Sequence, residues 1–237
     1  MPDPTILDLV ANGTMDSDIA ATLWSVADER RSFMTVAVPR FAGKSAVSAA
    51  ILTLVRPGTP IHHLSGDESQ MEELATRPDG GYLVVGEFSK APVDTYIWGD
   101  PVRKVFETVA SGFSLVTALH APTVEEAYDR ICSGNDISDE DASTINYMVY
   151  IERHGETKDD FWRRLSRVWE VECVIDGKPN ARLLHRWDGD TDTFEIVDRP
   201  LLLDADHAVL QERAERIRSF VAQGRTSAAD VQALRDG

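Results

Sequence analysis

The period of the apolar positions changes several times along the chain. In SDIAATLWSVADERRS (17–32), Ile19, Leu23, Val26 and Ala27 recur at helical spacing behind Ser17-Asp18, a pair suited to cap a helix. FMTVAV (33–38) is a short continuous apolar run, the pattern of a buried strand, and SAVSAAILTLV (45–55) reads as a helix of small residues stopped by RPGTP. IHHLSG (61–66) predicts a second strand, DESQMEELA (67–75) an acidic helix, and GYLVVG (81–86) the clearest strand of the chain. DPVRKVFETVASGF (100–113) predicts a helix with Asp100 as N-cap, Pro101 in the first turn and Gly112 near its end. SLVTALHA and TVEEAYDRICSG add one more strand and one more helix. Strands alternating with helices at this spacing predict an α/β fold with a largely parallel sheet.

Beyond residue 145 the pattern becomes strands separated only by turn clusters: INYMVYIERHG, LSRVWEVECVIDG, ARLLHRWDG and TFEIVD. These read as antiparallel strands added to the sheet edge. From Asp204 onward HAVLQERAERIRSFVAQG is helical, Gly224 ends it, and SAADVQAL is a last short helix. The expected division is a core over 1–199 and a helical C-terminal extension over 200–237. Val209, Leu210, Ile217, Phe220 and Val221 in that extension suit packing on the core as well as binding a partner.

Composition narrows the setting. A chain of 237 residues, 43% of them hydrophobic, can build one substantial core, and no apolar run approaches the roughly 20 residues needed to span a bilayer. MPDPTILDLV has no basic stretch and does not read as a signal peptide. Cys132 and Cys173 stand far apart without a CxxC pair, which suits a reducing cytoplasm. The formal charge of −16 repels a phosphate backbone, so nucleic acid is not expected as a partner.

One stretch carries candidate chemistry. VAVPRFAGKSAV (36–47) brings an apolar strand into Gly43-Lys44-Ser45 and then into a helix, the setting of a phosphate-binding loop. In such a loop backbone N–H groups wrap the phosphates, the lysine reaches the terminal ones, and the hydroxyl binds Mg²⁺. Val38 stands where the loop would open on glycine, Pro39 removes one N–H donor, and Phe41 puts bulk in the crown. Taken alone, the stretch is equally the start of a helix with no ligand. His62 and His63 alternate faces on a strand and do not make a joint metal site.

Three further stretches fall in order behind this loop: TRPDGGYLVVGEF (76–88), TVASGFSLVTALHAPTVEEAYDRI (108–131), and NYMVYIERHG with FWRRLSRVWEVE (146–172). Together with the loop they resemble the motifs of the secretion and pilus-assembly ATPases, the superfamily that powers type II and type IV secretion and type IV pili. The resemblance covers about residues 7 to 198, and the family's N-terminal domain has no counterpart in it. It implies a RecA-like P-loop NTPase core. Position by position, it implies that Pro39, Arg40, Phe41, Ala42, Gly43, Lys44, Ser45 and Ala46 hold the phosphates of ATP. Glu87, in VVGEF, matches the acidic residue closing the Walker B strand, and His120, in TALHA, the family histidine near the terminal phosphate. Mg²⁺ is expected at Ser45, Glu87 and Asp67, the last in HLSGDES, where a helix cap explains the aspartate equally well. Read without the resemblance, Glu87 is a solvated strand-end glutamate and His120 a structural histidine.

The same resemblance implies cytoplasmic localisation, with attachment to the inner membrane through partners. It also implies a homo-oligomeric ring, hexameric or mixed with a paralogue, docked on the membrane platform proteins of a secretion or pilus system. Arg77, Arg103, Arg153, Arg163 and Arg164 lie where the family places arginines facing a neighbouring subunit. Departures accumulate as well: Ser89 stands in place of the arginine after the Walker B glutamate, Phe113 replaces a histidine, and residues 90–99 look rewritten. Two expectations follow: an Mg-ATP-binding motor with reduced or partner-dependent hydrolysis, or a non-hydrolysing relative that regulates or assembles others.

Overall fold

The structure, a computed structural model, describes residues 3–39, 41–77, 80–155 and 161–236. Helices α1 (Ile6–Ala11) and α2 (Ser17–Asp28) precede strand β1 (Ser32–Val36), which leads through the 37–43 loop into α3 (Lys44–Leu52). Strand β2 (Ile61–Leu64), helix α4 (Glu68–Ala75) and strand β3 (Gly81–Val85) follow, then a short ladder of β4 (Glu87–Phe88) and β5 (Tyr96–Ile97). Next come α5 (Asp100–Val109), β6 (Phe113–Leu119), α6 (Val124–Asn135) and α7 (Asp139–Ala142). Strands β7 (Ile145–His154), β8 (Trp162–Ile175), β9 (Lys178–Asp188) and β10 (Thr193–Ile196) lead to helices α8 (His207–Ala222) and α9 (Ala228–Asp236).

Eight strands form one sheet in the order β10-β9-β8-β7-β1-β6-β3-β2. The pairs β7–β1, β1–β6, β6–β3 and β3–β2 are all parallel. Numbered among themselves, the parallel strands run 5-1-4-3-2, the order of a RecA-like core, with β1 in the interior and the chain crossing away from it in both directions. The C-terminal end of β1 is the topological switch point, where α/β sheets bind ligands. β8, β9 and β10 continue the sheet antiparallel.

The expected fold class is therefore the observed one, with a correction at β7. This strand was expected to be an antiparallel edge addition, but it lies inside the sheet and parallel to β1, with the pair Val36–Tyr150 in register. Its physical mark is burial on both faces: Tyr147, Met148, Val149, Tyr150 and Ile151 are all buried, the near-continuous apolar run of an interior parallel strand. The antiparallel region begins one strand later.

The sheet separates two apolar layers. Phe33, Val116, Tyr147 and Val149 face residues of α1, α2, α3, α8 and α9. Met34, Val36, Leu83, Leu115 and Met148 face α4, α5, α6 and α7. Ala214 and Ile217 of α8, with Val231 and Leu234 of α9, lie in the first layer, so the tail's apolar stripe packs on the core. Cap positions shift by a residue at two helices: Asp16 rather than Ser17 caps α2, accepting from the Ile19 N–H, and Gly99 precedes Asp100 at the start of α5.

Candidate active site

β1 delivers the chain to the switch point because its residues, Ser32 to Val36, are all buried and pair on both sides with β6 and β7. Beyond Ala37 the chain leaves the sheet: Val38 is 55% exposed, Pro39 is exposed, and Arg40 lies outside the described residues. Phe41 has φ +61° with its ring 80% exposed, a conformation that costs a bulky side chain energy. Ala42 is buried, and Gly43, at φ +95°, turns the chain into α3. Glycine is required there twice over, by its left-handed backbone and by a neighbour described below. No side chain caps α3, so its first turn presents backbone N–H groups at the end of the loop. Ser45, exposed on that turn, lines a cavity of about 300 Å³ with Ser48, His63, Val84 and Gly86; Ala46 is half-buried.

Three predicted residues converge behind the loop. Lys44 is only 8% exposed, and its ammonium lies 3.1 Å from Oε2 of Glu87 and 2.8 Å from Nε2 of His120. Nε2 of His120 is in turn 3.5 Å from Glu87 Oε2. A lysine ammonium can only donate, so Nε2 of His120 accepts from it and the ring proton sits on Nδ1. Nδ1 then donates toward the carbonyls of Ala37 and Val38, at 3.0 and 3.1 Å. His120 thus fastens the exit of β1 to the end of β6 and steers Lys44 in the same act.

Glu87 reaches this position through a local device. Gly86 has no room for a Cβ, which would run into the backbone and hydroxyl of Thr95. That close approach lets the Gly86 N–H donate to the Thr95 carbonyl at 3.1 Å and starts the β4–β5 ladder. The ladder turns Glu87 inward to 3% exposure while Phe88 packs on Phe106. The segment that looked rewritten is therefore what buries the carboxylate. A carboxylate so buried costs several kcal/mol unless it is paired, and Lys44 is its counter-charge.

Asp67 does not join this group. It is the N-cap of α4, accepting from the Ser69 N–H at 3.0 Å and the Ser69 hydroxyl at 2.7 Å, and those bonds lower the pKa of its exposed carboxyl. Among the described residues no cluster of three or more His, Cys, Asp or Glu could hold a metal.

The arginines divide. Arg77 pairs with Glu73, Arg103 with Asp100, and Arg164 with Asp192 through two bonds of 2.8 and 2.7 Å. Arg163 instead lies across the loop: a Cβ on Gly43 would fall 2.8 Å from its Nε, and its Nη2 donates to the Phe41 carbonyl at 3.4 Å. Sequence reasoning named Arg163 among the subunit-facing arginines and missed this contact within the chain. Only the β7–β8 register, which sets Arg153 opposite Arg163, reveals it.

No protein-family model matches the chain, and no curated protein matches it in sequence. Among solved structures it is similar to the VirB11 ATPase of the Brucella suis type IV secretion system, in complex with sulphate, at 15% identity and a TM-score of 0.47, over 70% of this chain and 54% of that one. It is similar to the Legionella pneumophila ATPase DotB at 14% identity and a TM-score of 0.44, over 94% and 59% of the two chains. The corresponding figures for the Yersinia pseudotuberculosis DotB are 12%, 0.42, 90% and 60%. The chain thus spans little more than half the length of these ATPases. Likeness at this level carries no argument about chemistry.

Proposed function

We propose that the chain is a P-loop ATPase of the secretion and pilus-assembly type that binds Mg-ATP at the 38–46 loop. The observation that carries the reading is the Lys44–Glu87–His120 group, gathered from three separate segments at the C-terminal ends of parallel strands. Burying a lysine and a glutamate side by side is unfavourable for a scaffold, and such pairs collect where chemistry needs them. The residues fit a polyphosphate at the α3 turn, through the left-handed Gly43, the uncapped helix start, Lys44 and the exposed Ser45. Mg-ATP, when bound, supplies the phosphoanhydride to be cleaved and a divalent charge that neutralises its oxygens. Lys44 offers its ammonium to the phosphates, and Ser45 its hydroxyl to the cation. Glu87 accepts the proton of the attacking water, and His120 holds Lys44 and the loop exit in place. Exposed Val38, Phe41, Phe161 and Trp162 support a ring in which a second copy or a paralogue covers this edge, with secretion or pilus platform proteins as further partners and the cytoplasm as the setting. Among the described residues no helix is long and apolar enough to cross a membrane.

A second reading rests on the loop crown. Pro39 contributes no N–H, and Phe41 holds a strained positive φ, so the crown offers the phosphates less than a glycine-rich loop does. In that reading the chain binds nucleotide without turnover and acts as a regulatory or assembly subunit. Equilibrium binding of Mg-ATP and phosphate release in one sample separate the two. Lys44→Ala is expected to weaken ATP binding at least tenfold, and Glu87→Gln to leave binding in place while turnover falls about a hundredfold. Binding without any turnover selects the second reading, and equal binding by wild type and Lys44→Ala removes both.

A further inference from the structure

Arg163 stands apart from the chain's other loop-side charges. No carboxylate lies within ion-pair distance of it among the described residues, and its Nε is buried without a hydrogen-bond partner. Burial, and then the charge of Arg153 beside it, depress its pKa from the ordinary arginine value. The two guanidiniums face each other across the β7–β8 register and share the ring of Phe161, at 5.0 and 4.5 Å from its centre. A guanidinium half-buried against a loop, with no carboxylate in ion-pair distance among the described residues, favours an anion beside it. The direction is set by Gly43: the guanidinium lies on the face of the loop that a Cβ would fill, one residue before Lys44. Among the described residues its side chain makes one hydrogen bond, to the Phe41 carbonyl at 3.4 Å, which is long and leaves most of its donors unused there.

We propose that Arg163 is a ligand for the terminal phosphates in its own subunit, supplying from β8 positive charge and donors to a loop crown in which Pro39 has no N–H. This rests on the reading of the loop as a polyphosphate site and deepens it: the crown is completed by a side chain from β8, two strands away from β1 in the sheet. The ligand class is a linear triphosphate, and the contact is indifferent to the base. Contact with the Phe161 ring, 4.5 Å from its guanidinium, helps hold Arg163 over the loop, which makes β8 part of the nucleotide site.

The test titrates the full chain with Mg-ATP and with inorganic tripolyphosphate, comparing wild type, Lys44→Ala, Arg163→Gln and Arg163→Lys, with thermal melting of each. Arg163→Gln is expected to lower affinity for both ligands by about tenfold to a hundredfold, the range for a lost charge-assisted contact. It should also flatten the salt dependence of binding. Arg163→Lys should recover part of the affinity and most of the salt dependence, which a purely structural role would not produce. Arg163→Gln binding both ligands like wild type, while Lys44→Ala does not bind, would overturn the proposal and leave the loop reading intact. Failure of the wild type to bind tripolyphosphate or ATP at millimolar concentration would overturn both. If Arg163→Gln does not fold, Arg163→Lys decides. A loss of threefold or more at unchanged melting temperature supports the contact, and no loss refutes it.

Discussion

Two glutamates in this fold are equally buried and do opposite things. Glu170, in the middle of β8, is 2% exposed; Glu87, at the tip of β3, is 3% exposed. Among the described residues no basic side chain lies within ion-pair distance of Glu170. Its Oε1 accepts from the Tyr147 hydroxyl at 2.7 Å and the Leu202 N–H at 2.9 Å, and both its oxygens lie within 3.0 Å of the Leu201 N–H. Neutral donors wrap the charge, and the carboxylate pins the 201–202 turn to the sheet. The phenol of Tyr147, buried against it, is pushed far above its usual pKa and acts only as a donor. Glu87 instead faces an ammonium and an imidazole through Oε2, at 3.1 and 3.5 Å. A buried carboxylate ringed by backbone donors is a rivet, whereas one facing an ammonium and an imidazole has the surroundings that the proposed role of Glu87 as a base requires.

The same substitution applied to both glutamates sharpens this contrast. Glu170→Gln sets an amide NH₂ against the Leu201 N–H, donor facing donor, and should lower unfolding free energy by about 3 kcal/mol in a denaturant titration. A loss under about 1 kcal/mol would mean that Glu170 does not hold the turn. Acid tests the same half of the molecule more gently. His185 of β9 is buried against the Thr22 hydroxyl at 2.9 Å, and burial lowers its pKa to about 4. The unfolded chain, with a histidine pKa near 6.5, takes up the proton first. Stability from this residue is complete above about pH 6.5 and drains away as pH falls toward 4, by about 3 kcal/mol in all. His185→Gln should flatten that slope in melts across the window. Glu87→Gln strands the buried Lys44 ammonium without its counter-charge, but Nε2 of His120 still accepts from it, so the loss should be about 2 kcal/mol, the smallest of the three. A large loss there would make Glu87 a second rivet and weaken its reading as a base.

Sequence reasoning reached the two glutamates unequally, and the reason is physical. Glu87 and His120 were reached through the resemblance, and local pattern alone read them as a solvated glutamate and a structural histidine. They lie just past β3 and β6, and Lys44 opens α3 beyond β1, so the parallel sheet brings the three together. Glu170 carries no such mark. It lies in a strand whose register shifts at Val168/Trp169 and again at Val171/Cys173, so simple alternation does not say which face it takes. β7 was misplaced for a related reason: turn clusters announce that strands follow one another, not which neighbour each pairs with. Arg163 needed two facts absent from local pattern, the register of β7 with β8 and the path of the loop. Asp67 illustrates the reverse, a residue whose local signal as a helix cap is the arrangement observed.

The tail has a mechanical side. Arg213 of α8 bonds Ser25 and Asp28 at 2.8 Å each and covers the ring of Trp24, which ties α8 to α2. Arg235 of α9 donates to the carbonyls of Thr53 and Val55, just past the end of α3. The other end of α3 is Lys44. Nine residues of helix, about 13 Å of rigid rod, therefore run between the grip of the tail and the ammonium beside Glu87. The grip of the tail and the Lys44 ammonium thus sit at the two ends of one short helix.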